Sequence, residues 1–185
     1  FPKSLFVSED VSFDMALVDA ICDDEFINLV SKKGWYLDCN YSGTEYMKFY
    51  NDKYFFKVHR KSFSKILHSS DILLSMSGTA TEQAIGLAKP VVQLPGKGPQ
   101  FTSSFAEAQR RLLGETVFCA EDIQYSKTNI FLDTSNLILN LSSRLQVDMD
   151  FIKLCKIQAD LRIGRKGGAK PISESISKFL ERNII

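Results

Sequence analysis

A turn of small residues is the first part of this sequence that could do chemistry. The apolar run Ile72–Met76 leads into Ser77–Thr81, and the spacing of apolar residues beyond this turn predicts a helix. Unpaired backbone N–H groups and the helix dipole attract anions to a helix N-terminus, and Gly78 would let a phosphate approach the backbone closely. We therefore expect a phosphate site here. For the turn taken alone, Ser77 or Thr79 acting only as a helix cap is the simpler explanation.

A second loop of suitable composition follows the next apolar run. Val91–Leu94 leads into a loop that contains Gly96, Lys97, Gly98 and Gln100. Lys97 offers a cation for a diphosphate, and Gln100 offers an amide for sugar hydroxyls. Loops at the carboxyl edge of neighbouring parallel strands can form one pocket, which is where open α/β sheets bind their ligands. The alternative is a loop that its glycines simply keep mobile.

The elements that must position these loops alternate regularly along the chain. Strands are expected at 72–76, 91–94 and 116–119, and helices at 62–68, 79–87 and 101–113. Strands that alternate with helices form a parallel sheet. We therefore predict an α/β fold with a Rossmann-like parallel sheet flanked by helices.

The rest of the chain extends this pattern on both sides. Before it we expect a strand at Leu5–Val7, a helix whose apolar residues run from Met15 to Gly34, a short strand at Trp35–Leu37, and a hairpin turning at Asn51-Asp52. After residue 122 the apolar spacing is helical to the C-terminus, and the last helix follows Pro171. One domain spanning residues 1–185 is expected.

Composition narrows the class of protein. The 23 basic and 22 acidic residues give a net charge of +1, so charge provides no case for a nucleic-acid partner. No apolar run approaches the roughly 20 residues that span a bilayer. Cys22, Cys39, Cys119 and Cys155 show no metal-binding spacing and are expected to be buried, reduced thiols. We expect a cytoplasmic location, peripheral to a membrane if the acceptor is a lipid.

Four segments of the central region resemble the lipid-A-disaccharide synthase-related glycosyltransferases of the GT-B superfamily. These segments are Ser77–Ala84, Ala88–Val92, Leu94–Thr102 and Phe105–Gly114. The first two are also similar to lipid-A-disaccharide synthase itself. The resemblance is specific across this region and weak elsewhere.

This resemblance implies the donor-binding, C-terminal half of a GT-B glycosyltransferase. The full enzyme would transfer a hexosyl group from a UDP-sugar to a lipid-linked or other acceptor, without a metal or other cofactor. The acceptor domain, together with the first strand and loop of this half, would lie outside the chain, so activity of the chain alone is not expected. The resemblance places no catalytic residue here, because the base usually comes from the acceptor half. Neither His59 nor His68 has a partner in a catalytic spacing.

Recognition of the ribose is left open by the resemblance. The family usually grips the ribose with a carboxylate early in the helix, but Gln83 has that register here and Glu82 lies one residue before it. One residue corresponds to about 100° around a helix, so the two side chains cannot occupy the same place. Together, the motifs predict substrate-binding residues at Ser77, Gly78, Thr79, Glu82, Gln83, Gly96, Lys97, Gly98 and Gln100.

Two other functions fit the same features. A UDP-N-acetylglucosamine 2-epimerase-like isomerase shares the half-fold and would need carboxylates from the half that is not in this chain. A non-catalytic interaction domain could keep the sugar-nucleotide fold without turnover.

Overall fold

The computed structural model describes residues 11–39, 45–75, 78–94, 103–119, 130–164 and 167–183. These segments contain seven strands and seven helices, so the predicted α/β class is confirmed. In chain order they are β1 (Phe13–Leu17), α1 (Asp23–Ser31), β2 (Tyr36–Leu37), β3 (Tyr46–Asn51), β4 (Tyr54–Arg60), α2 (Phe63–Ser69), β5 (Leu73–Leu74), α3 (Gly78–Gly86), β6 (Val91–Gln93), α4 (Ser103–Leu113), β7 (Val117–Cys119), α5 (Ile130–Val147), α6 (Met149–Arg162) and α7 (Ala169–Asn183).

The predicted parallel sheet is present as a three-stranded sheet in the order β5-β6-β7. Leu73 pairs with Val91 and Val91 with Val117, both in parallel register. Helices α3 and α4 connect these strands, as the alternation of apolar runs predicts. The central strand β6 is buried along its whole length. This burial explains why Val91 and Val92 are consecutive apolar residues instead of alternating with polar ones.

A second, mixed sheet has the order β1-β4-β3-β2. The hairpin of β3 and β4 is confirmed, and its turn places Asp52 at φ +54°, a backbone conformation that aspartate tolerates better than most residues. The predicted single parallel sheet is therefore incomplete as a description, because the strands before α2 form a separate sheet. The mixed sheet arises because the hairpin reverses the chain between β3 and β4.

The helix predicted from Met15 is wrong at its beginning. Met15 lies in β1, which pairs in parallel with β4, and helix α1 begins only at Asp23. The apolar residues Met15, Val18 and Ile21 fall three apart and so imitate a helical stripe. Pairing with a strand far along the chain overrides that local pattern. The short strand predicted at Trp35–Leu37 is present as β2.

Aromatic side chains form the core against the mixed sheet. Trp35 is fully buried, and its ring meets Phe56 edge-on with 4.9 Å between centroids. Phe49 stacks on Phe56 with 5.3 Å between ring centroids. Two further apolar clusters lie around the parallel sheet, one of them between β6 and helices α5 and α6. The aromatic-rich runs of the sequence thus serve packing.

The predicted helical C-terminus is confirmed by α5, α6 and α7. Helix α7 begins at Ala169, before Pro171 rather than after it. Proline is tolerated there because backbone N–H groups in the first turn have no intrahelical partner. Within the described segments, no helix is both long and apolar enough to cross a membrane.

The prediction of four buried thiols is half wrong. Cys119 and Cys155 are buried and free, but Cys22 and Cys39 are free and exposed. Cys22 lies directly before α1, and Cys39 follows β2 at the margin of the mixed sheet. Burial raises the pKa of the Cys155 thiol. The predicted strand Leu5–Val7 falls outside the described residues.

Candidate functional site

The first turn of α3 is the centre of the candidate site. Gly78 is the first helical residue, and a β-carbon added to it would lie 2.9 Å from Nε2 of Gln109. Thr79 is exposed at the same helix end. Helix α3 directly follows β5 of the parallel sheet, separated only by Ser75 and two residues outside the described segments. The end of this strand therefore leads into a helix N-terminus where an anion would be stabilised.

A cavity of about 1030 Å³ opens beside this helix end, between β1 and β5. Every residue of β1 lines it, and so does the run from Asp71 to Ser75. Because neighbouring residues of a strand point to opposite faces, a cavity that touches all of them runs along the strand edges. Phe63 of α2 and Ile138 of α5 line it from the flanking helices. Its volume lies at the upper end of the range for small-molecule sites, about 300–1,000 Å³.

The structure separates the predicted site residues into two groups. Thr79 and Gln83 line the cavity, one helical turn apart on α3. Gly78 and Glu82 do not appear among its lining residues, although Glu82 is exposed. The other predicted positions, Ser77, Gly96, Lys97, Gly98 and Gln100, fall outside the part of the chain that the structure describes. Of the two rivals for the ribose, Gln83 is the one that lines this space.

Several polar residues of the cavity wall were not predicted from the sequence. Asp14 of β1 lines the cavity, and its Oδ1 lies 2.7 Å from Nε2 of His59 on β4. Lys61 and Asp71 line it from either end of α2. No motif identifies these residues, since they lie far apart in the sequence and Asp14 meets His59 only when β1 pairs with β4. The wall therefore carries both signs of charge around an apolar interior.

Arg60 fixes the loop at the carboxyl end of β1. Its guanidinium donates to the carbonyl oxygens of Val18 at 2.6 Å and Ile21 at 2.5 Å, and to Oδ1 of Asp23 at 2.6 Å. These bonds tie β4 to the start of α1 across the loop that also carries the cavity residue Asp19. The planar fork of arginine is suited to satisfying several acceptors at once. The loop that borders the cavity is thus held rigidly.

Lys89 fixes the segment that follows α2. Its ammonium donates to the carbonyl oxygen of His68 at 2.7 Å and to that of Ser70. Burial lowers the pKa of Lys89, and the nearby carboxylate of Asp71 opposes that shift. A cation at a helix C-terminus also complements the helix dipole. Lys89 thereby holds the connection from α2 to β5, which forms part of the cavity wall.

The chain was compared with known proteins in three ways. No protein-family model, no curated protein and no solved structure matches it. Within the described residues, no group of three or more histidine, cysteine, aspartate or glutamate side chains could hold a metal ion. The geometry of the cavity and the sequence motifs are therefore the grounds for assigning a function.

Proposed function

We propose that this chain binds the nucleoside diphosphate sugar of a GT-B glycosyltransferase related to lipid-A-disaccharide synthase. The observation that carries the proposal is the position of Thr79 and Gln83, which line a ligand-sized cavity at the N-terminus of α3. The parallel strands β5, β6 and β7 and the connecting helices support it, because such sheets bind ligands at the carboxyl ends of their strands. The motifs from Ser77 to Gly114 support it through their resemblance to that family.

In this proposal each part of the site meets a different part of the donor. The N–H groups at the start of α3 stabilise the diphosphate, because the helix dipole and the unpaired donors both favour negative charge. Gln83 donates to or accepts from a hydroxyl of the ribose or sugar. The loop with Lys97 and Gln100 supplies a cation and a second amide. Charge that develops on the departing UDP is then stabilised by preorganised groups, without a bound metal.

The complete enzyme is proposed to transfer the glycosyl group to an acceptor held by an N-terminal domain outside this chain. A lipid-linked acceptor would bring the protein to a membrane surface as a peripheral protein. The chain alone would bind the donor without turning it over. Helix α7 exposes an apolar stripe of Ile172, Ile176 and Leu180. Apolar patches of this kind contact membranes or other proteins.

A matched pair of variants tests this proposal. Gln83→Ala removes an amide from the cavity wall, whereas Glu82→Ala removes a neighbouring exposed side chain of similar length from the same helix. Isothermal titration with UDP-N-acetylglucosamine and UDP-glucose should show binding about five- to tenfold weaker for Gln83→Ala, which corresponds to one net hydrogen bond. Glu82→Ala should bind like the wild type.

Two results would count against the proposal. Absence of binding by the wild-type protein to UDP and to both UDP-sugars at millimolar concentration would remove the function altogether. Weaker binding by Glu82→Ala combined with normal binding by Gln83→Ala would show that the cavity beside Gln83 is not the ligand site. Circular dichroism of both variants checks that the helix is retained.

A further inference from the structure

A buried pair of glutamine side chains lies at the end of the central strand. Gln93 is the last residue of β6 and is 5% exposed, and Gln109 on α4 is 8% exposed. Nε2 of Gln93 donates to Oε1 of Gln109 at 2.5 Å. Oε1 of Gln93 has no hydrogen-bond partner among the residues that the structure describes. The pair thus leaves one enclosed acceptor oxygen without a hydrogen bond among the described residues.

This glutamine pair reaches the N-terminus of α3. Nε2 of Gln109 lies 2.9 Å from the position that a β-carbon on Gly78 would occupy. The absence of a side chain at Gly78 is therefore what lets the amide of Gln109 approach the helix end. Gln93, Gln109 and the first residue of α3 form one contiguous cluster of polar groups. Two independent features, a helix end and a buried acceptor without a partner, are thus linked through the side chain of Gln109.

An unfilled buried acceptor is unfavourable in the absence of a ligand. Leaving a carbonyl oxygen without a hydrogen bond in the interior destabilises a fold, and natural proteins rarely keep such a group without a use. Rotation of the Gln93 amide would not relieve the problem, because it would place two oxygens, of Gln93 and Gln109, against each other. The orientation of Gln109, whose Nε2 faces Gly78, therefore determines that Oε1 is the atom of Gln93 without a partner.

We propose that Gln93 accepts a hydrogen bond from a sugar hydroxyl of the bound donor, and that Gln109 positions the side chain of Gln93. This inference rests on the proposed function and assigns the specificity for the sugar to a residue pair. The N–H groups of α3 are donors and require an acceptor, which the diphosphate supplies. Oε1 of Gln93 is an acceptor and requires a donor, which a hydroxyl supplies. A phosphate linked directly to a polyhydroxylated ring presents both groups side by side.

The test measures how much the sugar adds to the affinity for UDP. Gln93→Met keeps the length of the side chain and removes both amide atoms. Titration of the protein with UDP and with UDP-N-acetylglucosamine gives the ratio of the two dissociation constants. In Gln93→Met this ratio should fall about five- to tenfold toward unity, while the affinity for UDP itself should not change. Gln109→Met should reduce the ratio in the same direction, because Gln93 would then be free to rotate.

The matched control is Gln158→Met, which removes another buried glutamine, 7% exposed, from α6 outside the cluster. This variant should leave both dissociation constants at their wild-type values. If Gln93→Met does not fold, Gln109→Met carries the test, since the ratio and not the stability is the readout. Failure of the wild type to bind UDP would remove the proposed function and this inference together. Normal binding of UDP with an unchanged ratio in Gln93→Met and Gln109→Met would overturn the inference alone, and an ordered water would then satisfy Oε1.

Discussion

Gly114 provides the sharpest test of the packing between α4 and α6. It follows the last residue of α4 with φ +94°, and its N–H donates to the carbonyl oxygen of Arg110 at 2.8 Å. A β-carbon built on Gly114 would lie 1.9 Å from Oε1 and 2.7 Å from Cδ of Gln158. Because Gln158 is 7% exposed, its side chain has little room to move away. Gly114→Ala therefore adds a steric conflict to an unfavourable backbone conformation.

Gly164→Ala separates these two contributions. Gly164 has φ +89°, close to that of Gly114, but nothing lies within 4 Å of an added β-carbon. Alanine in the left-handed region costs about 1–2 kcal/mol, so Gly164→Ala should lower the free energy of unfolding by that amount. Gly114→Ala should lower it by about 1–3 kcal/mol more, the range typical of overpacking. Urea denaturation with an unchanged slope measures both values.

A third variant identifies the atom responsible. In a Gly114→Ala background, Gln158→Ala removes the side chain that the new methyl group meets. The double-mutant cycle should then show a favourable coupling of at least about 1 kcal/mol. Equal losses for Gly114→Ala and Gly164→Ala, or a coupling near zero, would refute the close approach of Gln158 to Gly114.

Two further predictions concern the loop beside the cavity and the start of α6. Arg60→Lys removes most of the bonds to Val18, Ile21 and Asp23, and should lower the free energy of unfolding by about 1–3 kcal/mol and speed amide exchange in residues 18–22. Lys65→Met removes a largely exposed ion pair with Glu45 and should have a clearly smaller effect on the free energy of unfolding. Similar effects of the two substitutions would contradict the role of Arg60. A hydrogen bond from the backbone N–H of Phe151 lowers the pKa of Asp148, and a second, smaller contribution comes from the hydrogen bond that Arg144 donates. The charged Asp148 side chain therefore stabilises the fold above the ordinary aspartate pKa, and this stabilisation is lost as pH falls through the lowered pKa. The difference in unfolding free energy between wild type and Asp148→Ala should therefore narrow below about pH 4, and a difference independent of pH would show that the charge contributes nothing.

The alternation of strands and helices from α2 to β7 could be predicted from the sequence because it depends on local information. Apolar runs such as Val91–Leu94 are short, and Pro90 and Gly114 mark ends of elements close to where the structure places them. The hairpin at Asn51-Asp52 was predictable for the same reason. Local spacing and turn residues determine these elements, and distant contacts only confirm them.

The wrong assignment of Met15 and the missed cavity residues involve contacts between distant parts of the chain. Met15 was assigned to a helix because its pairing strand lies beyond the hairpin, where a single sequence gives no indication of it. Asp14 and Lys61 were missed as cavity residues for that reason too. The glutamine pair of Gln93 and Gln109 depends on how α4 packs against β6. Thr79 and Gln83 were found because they belong to a contiguous motif.

The parallel pairing of β1 with β4 has a consequence for how this protein folds. Phe13 pairs with Phe56, 43 positions further along the chain, whereas β3 and β4 are neighbours joined by a tight turn. Hairpins form within microseconds, but β1 can dock only after the long intervening loop has closed, at an entropic cost that grows with the logarithm of its length. We therefore expect β4 to exist as part of the hairpin before β1 adds to it. Helices α5 and α6 adjoin each other in sequence, so their packing against each other occurs without that delay. Closure of the cavity beside β1 is therefore a late step in folding.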